Sequence, residues 1–176
     1  MIGTAVTVEL EAVKDEASAD LTPMLDAYQA QSRPGAIMVI QVPRSLHGHG
    51  IFGDGAAALA RRHGFVGTLI EGAVRDTPDL ARIEFPVWSR TVAPGYIVGK
   101  ARVAAAGQAV QVGGRTIHPG DAIAADNDGV MVIRPDELEA VIARAEAIRD
   151  WEQRVHQAYD DGADYQEVLR RAGPMP

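Results

Sequence analysis

The sequence predicts an α/β fold in which at least some strands run parallel, and three features carry the prediction. Between Gly3 and Pro78, strand-like apolar runs alternate with helix-like stretches. From Pro86 to Arg134 the pattern is all strand, punctuated by Gly-Gly, Pro-Gly and Asp-Gly turns. After Pro135, apolar residues recur at helical spacing as far as Tyr159.

Val6 and Val8 alternate with Thr7 and Glu9, which reads as a first strand with one buried face. Asp20 then precedes Leu21, Met24, Leu25 and Tyr28, an Asp-capped helix stopped by Arg33-Pro34-Gly35. Ala36 to Val42 is a fully apolar strand bounded by Pro43. The segment HGHGIFGDG reads as a glycine-rich loop, and a helix over Gly55 to His63 ends at Gly64. Val66 to Ile70 is another apolar strand, followed by Glu71 to Asp76 and the helix opener Thr77-Pro78. Strand patterns follow at Pro86 to Ser89, Ile97 to Ala104, Ala109 to Val112, Arg115 to Ile117, Ala122 to Ala125 and Val130 to Ile133. Gly113-Gly114 and Asp128-Gly129 are two-residue hairpin signals, and His118-Pro119-Gly120-Asp121 is a turn. Leu138, Val141, Ile142, Ala145, Ile148, Trp151, Val155 and Tyr159 form one stripe of a long helix, with a short helical piece near Tyr165 to Arg171 beyond Gly162.

The 176 residues, 47% hydrophobic and 23% charged, suit one globular domain with a sizeable core. With no cysteine, disulfides, thiolate metal sites and cysteine nucleophiles are excluded. A net charge of −7 argues against a general nucleic-acid surface. No signal peptide is visible in MIGTAVTVEL, and no apolar run reaches the roughly 18 residues of a membrane span, so a soluble cytoplasmic protein is expected.

Two loops hold the candidate chemistry. Gly53-Asp54-Gly55 lies where a loop becomes a helix, so the amides of Gly55 and Ala56 lack intrahelical partners and attract an anion. The plain alternative makes Asp54 a cap. Arg75-Asp76 follows an apolar strand, at the strand end where open α/β sheets bind ligands. Arg75 offers a planar fork for a carboxylate and Asp76 a hard oxygen ligand for Mg²⁺ or Mn²⁺. Here the alternative is an N-cap at Asp76 or Thr77 with Arg75 in a surface ion pair. Glu152 falls within the arc of Val141, Ala145 and Ile148, where a carboxylate needs a partner unless the helix bends near Asp150. His47-Gly48-His49 lacks a third clear ligand and reads as loop, as His118 reads as turn. Asp126 to Gly129 fits a hairpin better than a calcium loop. No nucleotide-binding glycine motif occurs.

Twenty residues separate Asp54 from Arg75. With that spacing, and with Gly3-Thr4-Ala5-Val6-Thr7-Val8, Pro34-Gly35, Gly72-Ala73-Val74-Arg75-Asp76, Phe85-Pro86-Val87, Val112-Gly113-Gly114, Pro119-Gly120-Asp121 and Asp126-Asn127-Asp128-Gly129-Val130, the chain resembles the RraA-like family. That family includes the divalent-metal-dependent 4-hydroxy-4-methyl-2-oxoglutarate / 4-carboxy-4-hydroxy-2-oxoadipate aldolases. The resemblance covers most of the chain. It implies a layered β/β/α swivelling-type domain over residues 1–176 with a mixed sheet, whose C-terminal helical region, 136–172, contacts a neighbouring subunit in a homotrimer or homohexamer. It also implies a class II aldolase that releases pyruvate from a 4-hydroxy-2-oxo acid and can decarboxylate oxaloacetate.

In that reading Asp76 is the ligand of Mg²⁺ or Mn²⁺, Arg75 clamps the pyruvoyl group, and Asp54 holds a water on the metal. The amides of Gly55 and Ala56 receive the substrate carboxylate, and Glu152 is the carboxylate contributed by a neighbour. A Schiff-base aldolase would instead need Lys14 or Lys100 in an apolar pocket. The alternative outside catalysis is a trimeric regulator similar to the RraA regulators of RNase E. Retention of Asp54, Arg75 and Asp76 favours the enzyme, while HGHG occupies part of the loop before the acidic motif, and the chain begins almost at the first family strand.

Overall fold

The computed structural model describes residues 1–31 and 33–176. It divides into two compact units, Met1–Val132 and Ile133–Pro176. The first is built around a nine-stranded mixed sheet. Its middle is β1 (Ile2–Ala12), β2 (Ala36–Gln41) and β4 (Phe65–Val74), hydrogen-bonded in parallel in that order. The short β3 (His49–Phe52) and β5 (Val87–Val92) both run parallel to β4, and β6 (Gly95–Tyr96) pairs with β3. On the other side of β1 lie β7 (Ala101–Ala106) and β10 (Ala122–Ala125), both antiparallel to it, with β11 (Val130–Ile133) next to β10. A separate hairpin joins β8 (Val110–Val112) to β9 (Arg115–Ile117) through Gly113 and Gly114, whose φ angles of 59° and 75° are those of a two-residue primed turn.

Period-two alternation sends the strand residues to two faces, and each face has its own cover. On one, Val8, Met38, Ile40 and Ile70 pack against Tyr28 of α1 (Thr22–Ala30), Ala57 and Ala60 of α2 (Asp54–Arg62) and Leu80 of α3 (Thr77–Arg82). On the other, Ala5, Ile37, Val39 and Leu69 pack under Val110, Val112 and Ile117 of the hairpin. This is the expected layered β/β/α arrangement.

Three local expectations change. First, β1 is buried on both faces, down to Thr7, because the hairpin covers the side that alternation assigned to solvent. Second, half of the glycine-rich loop is strand, since His49 to Phe52 finds partners on both β4 and β6. Third, the strand starting near Val66 runs through Glu71-Gly72-Ala73-Val74, with a register shift against β5 between Ile70 and Ala73, so Arg75 follows it directly.

The second unit comprises α4 (Leu138–Asp160) and α5 (Tyr165–Ala172), which pack on each other through Ala158, Val168 and Ala172. Trp151 Nε1 donates to the Gly173 carbonyl at 2.9 Å, and Asp164 caps α5 by accepting the Glu167 N–H. No residue of the apolar stripe on α4 is buried, and Ile142 and Tyr159 are about half exposed. The helix does not break at Asp150, and Glu152 on it is exposed rather than enclosed by the stripe. Among the described residues no helix is long and apolar enough to cross a membrane.

Candidate active site

The site follows from one topological fact: β3 and β4 are parallel neighbours, so the loops that leave them emerge at the same edge. Phe52 lies opposite Val74, and the Arg75 N–H donates to the Phe52 carbonyl at 2.9 Å. Beyond Phe52 the chain turns at Gly53 into α2; beyond Val74 it turns at Arg75-Asp76 into α3.

Asp76 occupies the backbone N-cap position of α3, yet its side chain makes no capping bond. Its φ and ψ of 57° and 35° are left-handed, a conformation that costs a non-glycine residue roughly 1 kcal/mol. The carboxylate lies instead over Gly53, where a Cβ would sit 2.2 Å from Asp76 Oδ2. A glycine at position 53 is therefore what lets the two loops touch. Arg75 is held from three sides: Nη1 donates to the Gly50 carbonyl at 2.7 Å, Nε stands 3.3 Å from Asp76 Oδ2, and the guanidinium carbon sits 4.9 Å from the centre of the Tyr96 ring. Gly50 makes the same approach possible, since a Cβ there would lie 2.9 Å from Arg75 Cβ and 2.8 Å from the Ala93 carbonyl oxygen. An open cavity of about 220 Å³ is lined by Arg75, Asp76, Thr77 and the Val92–Pro94 segment.

Asp54 stands one residue from Gly53 but does not line that cavity. Its Oδ1 accepts the Gly55 N–H at 2.7 Å, and its charge helps raise the pKa of Arg82, whose main partner is Asp79. The Gly55 amide is thus taken by the neighbouring carboxylate, although Asp54 is the first residue of α2 rather than its cap, the cap position being Gly53 without a side-chain bond. Ala56 is half-buried and packs on the core, in the first turn of α2 with Gly55. Glu152 belongs to the second unit.

Among the described residues no three His, Asp or Glu side chains gather around a point that could hold a cation. Of the residues lining the cavity Asp76 is the carboxylate, a donor that suits Mg²⁺ or Mn²⁺, since ions of this kind keep several waters and take one or two protein carboxylates. Lys14 and Lys100 are both exposed, so neither has the apolar pocket a Schiff-base lysine needs. Asp126 Oδ1 accepts the Asp128 and Gly129 amides, a turn rather than a calcium loop. His118 donates its N–H to the buried Asp121, which agrees with a turn.

Tyr96 and the Gly50 carbonyl escaped sequence reasoning. Tyr96 follows Pro94-Gly95, a turn signal, but nothing local shows that its ring lies beside Arg75.

The layered sheet and the Arg-Asp corner define a class of α/β proteins that present an arginine and a carboxylate at the ends of parallel strands. The chain belongs to the RraA-like family, whose model, described as Aldolase/RraA, matches residues 1–132. Protein DlpA of Legionella pneumophila is 35% identical over 121 residues, 67% of this chain and 19% of DlpA. A Halalkalibacterium halodurans protein provisionally named 4-hydroxy-4-methyl-2-oxoglutarate aldolase is 31% identical over 147 residues, 82% of this chain and 65% of that protein. The chain therefore spans less than two thirds of the length of either relative. The crystal structure of Streptomyces coelicolor RraAS2, described as an unusual member of the RNase ES inhibitor RraA protein family, superposes with a TM-score of 0.74 at 25% identity, over 87% of this chain and 74% of that one.

Proposed function

We propose that this protein is a pyruvate-releasing aldolase that acts on a 4-hydroxy-2-oxo acid with the help of Mg²⁺ or Mn²⁺. The observation that carries the reading is the Asp76 carboxylate laid over Gly53 with the Arg75 guanidinium fixed beside it, at the mouth of one cavity. Asp76 is the residue that would hold the cation, which when bound supplies Lewis acidity to the 2-oxo carbonyl.

Arg75 faces the pyruvoyl group, with its fork already oriented by Gly50 and Tyr96, and stabilises the negative charge that grows on the 2-oxo oxygen. A proton leaves the 4-hydroxyl, the C3–C4 bond breaks, and its electron pair passes into the enolate, which takes a proton at C3 to become pyruvate. Asp54, which lies outside the cavity while it accepts the Gly55 amide, would on leaving that amide poise the water that takes the hydroxyl proton and free the amide for the substrate carboxylate. Glu152 is the carboxylate a neighbouring copy would add. The uncovered apolar stripe of α4 supports contact of the helical region with another subunit, in a trimer or hexamer. The same electron sink accommodates decarboxylation of oxaloacetate.

The test is pyruvate release from a series of 4-hydroxy-2-oxo acids and from oxaloacetate, with Mg²⁺ and with EDTA. The parent should turn over at least one of them in an EDTA-sensitive way without borohydride trapping, and Asp76→Ala and Arg75→Ala should each lose about 100-fold or more in kcat/KM, the usual effect of removing a group that meets developing charge. A parent inert on all of them, while binding a protein partner, would place the chain with the non-catalytic regulators of the family.

A further inference from the structure

A second cavity, of about 620 Å³, opens where β2 leaves the sheet. Gln41 and Glu71 form its floor as register partners on β2 and β4, with Arg90 of β5 beside them. Arg44 and His47 come from the turn after β2, within the segment that carries the HGHG sequence, and Gln111 comes from the covering hairpin.

The hydrogen bonds around this space are unevenly spent. Glu71 uses both carboxylate oxygens, one on Arg90 Nε and the other on the Gly113 N–H at 2.6 Å. Gln41 uses both ends of its amide: Oε1 accepts the Gln111 N–H at 2.5 Å and Nε2 donates to Glu9 at 2.9 Å. His47 Nε2 meets the Val42 carbonyl at 3.0 Å and Gln111 Nε2 donates to Thr116 Oγ1 at 2.7 Å, so His47 Nδ1 and Gln111 Oε1 are the side-chain acceptors left over. The charged groups left over are donors. The exposed Arg44 guanidinium makes no ion pair or hydrogen bond among the described residues, and Arg90 has only Nε engaged. Among the residues lining the cavity two guanidiniums stand against one carboxylate, with the Glu9 carboxylate one hydrogen bond away through Gln41.

A cavity whose uncommitted charged groups are guanidinium N–H donors selects a ligand made of acceptors. Glu71 is mostly buried and anchored by the hairpin, so it holds the Arg90 head in place before any ligand arrives, which reduces the ordering cost of binding. We propose that this cavity binds a small oxyanion, a carboxylate or phosphate group gripped by Arg44 and the Arg90 fork, at a site separate from the Arg75–Asp76 corner. It does not depend on the aldolase reading.

The experiment is titration calorimetry of the whole protein at low ionic strength with inorganic phosphate and, separately, with succinate, accompanied by amide chemical shifts of Gln111 and Gly114. At least one probe should saturate and move those amides, and the probe that does so identifies the oxyanion. Arg44→Ala, a change at an exposed side chain, should weaken binding about tenfold or more, the usual effect of losing a charge-assisted bond. Arg75→Ala should leave it unchanged. No saturable binding by either probe, an Arg44→Ala effect below about threefold, or loss of binding in Arg75→Ala would each overturn the proposal.

Discussion

Replacing Gly53 by alanine separates the stability of this fold from the geometry of its candidate site. At φ −149° the Gly53 backbone suits any residue, so the substitution introduces no backbone strain. The new Cβ would sit 2.2 Å from Asp76 Oδ2, where ordinary contact begins near 3.4 Å, so the carboxylate must retreat by about 1 Å. That carboxylate is the tip of a half-exposed side chain and can rotate away. The folding cost should stay near the lower end of the roughly 1–3 kcal/mol typical of overpacking. A displacement of about 1 Å at a reacting centre, by contrast, can cost about 100-fold in rate, or about 2.7 kcal/mol of transition-state stabilisation. Gly53→Ala should therefore melt within a few degrees of the parent while losing about 100-fold in kcat/KM for pyruvate release, together with weaker Mn²⁺ binding by calorimetry. Parent-like catalysis and Mn²⁺ affinity in the folded variant would refute the reading that the Asp76 carboxylate laid over Gly53 holds the cation.

Further outcomes follow from the same geometry. Tyr96→Ala should raise KM about two- to fivefold while Tyr96→Phe preserves it, because an exposed ring facing a guanidinium contributes about 0.5–1 kcal/mol; equal effects in steady-state kinetics would show that the ring does not orient Arg75. The hydrogen bonds from the Thr22 side chain and amide hold the Asp20 carboxyl below the usual carboxylate range. A depressed pKa contributes stability above the unfolded value and loses it as pH falls through the folded one, so the urea midpoint of Asp20→Ala should trail the parent at neutral pH and converge with it in acid. Phe65→Ala removes the edge-on partner of buried Tyr28, at a ring separation of 5.0 Å, and should cost about 3–5 kcal/mol in chemical denaturation.

Several elements were legible because their cause is local. A wholly apolar Ala36–Ile40 has nowhere to go but the centre of a sheet, and all five residues are buried. Gly113-Gly114 could turn only as a tight hairpin, and Asp20 could satisfy the free amides of a helix start. The strand His49–Phe52 was hidden by its glycine and histidine content, since its stability comes from β4 and β6 rather than from its own residues. The same limit hid the burial of Thr7, on the strand whose Ala5 packs under a hairpin far along the chain.

For the site, the residue types and the positions of Asp54, Arg75 and Asp76 at strand and helix ends were written in the chain, because such ends expose unpaired backbone groups wherever they occur. Which of them meet was decided by tertiary structure. The parallel pairing of β3 with β4 brings Gly53 beneath Asp76, and the pairing of β6 with β3 carries Tyr96 to Arg75, while Asp54 turns onto its own helix. Local sequence sets what each group can donate or accept; only the pairing of distant strands sets the distances across which it does so.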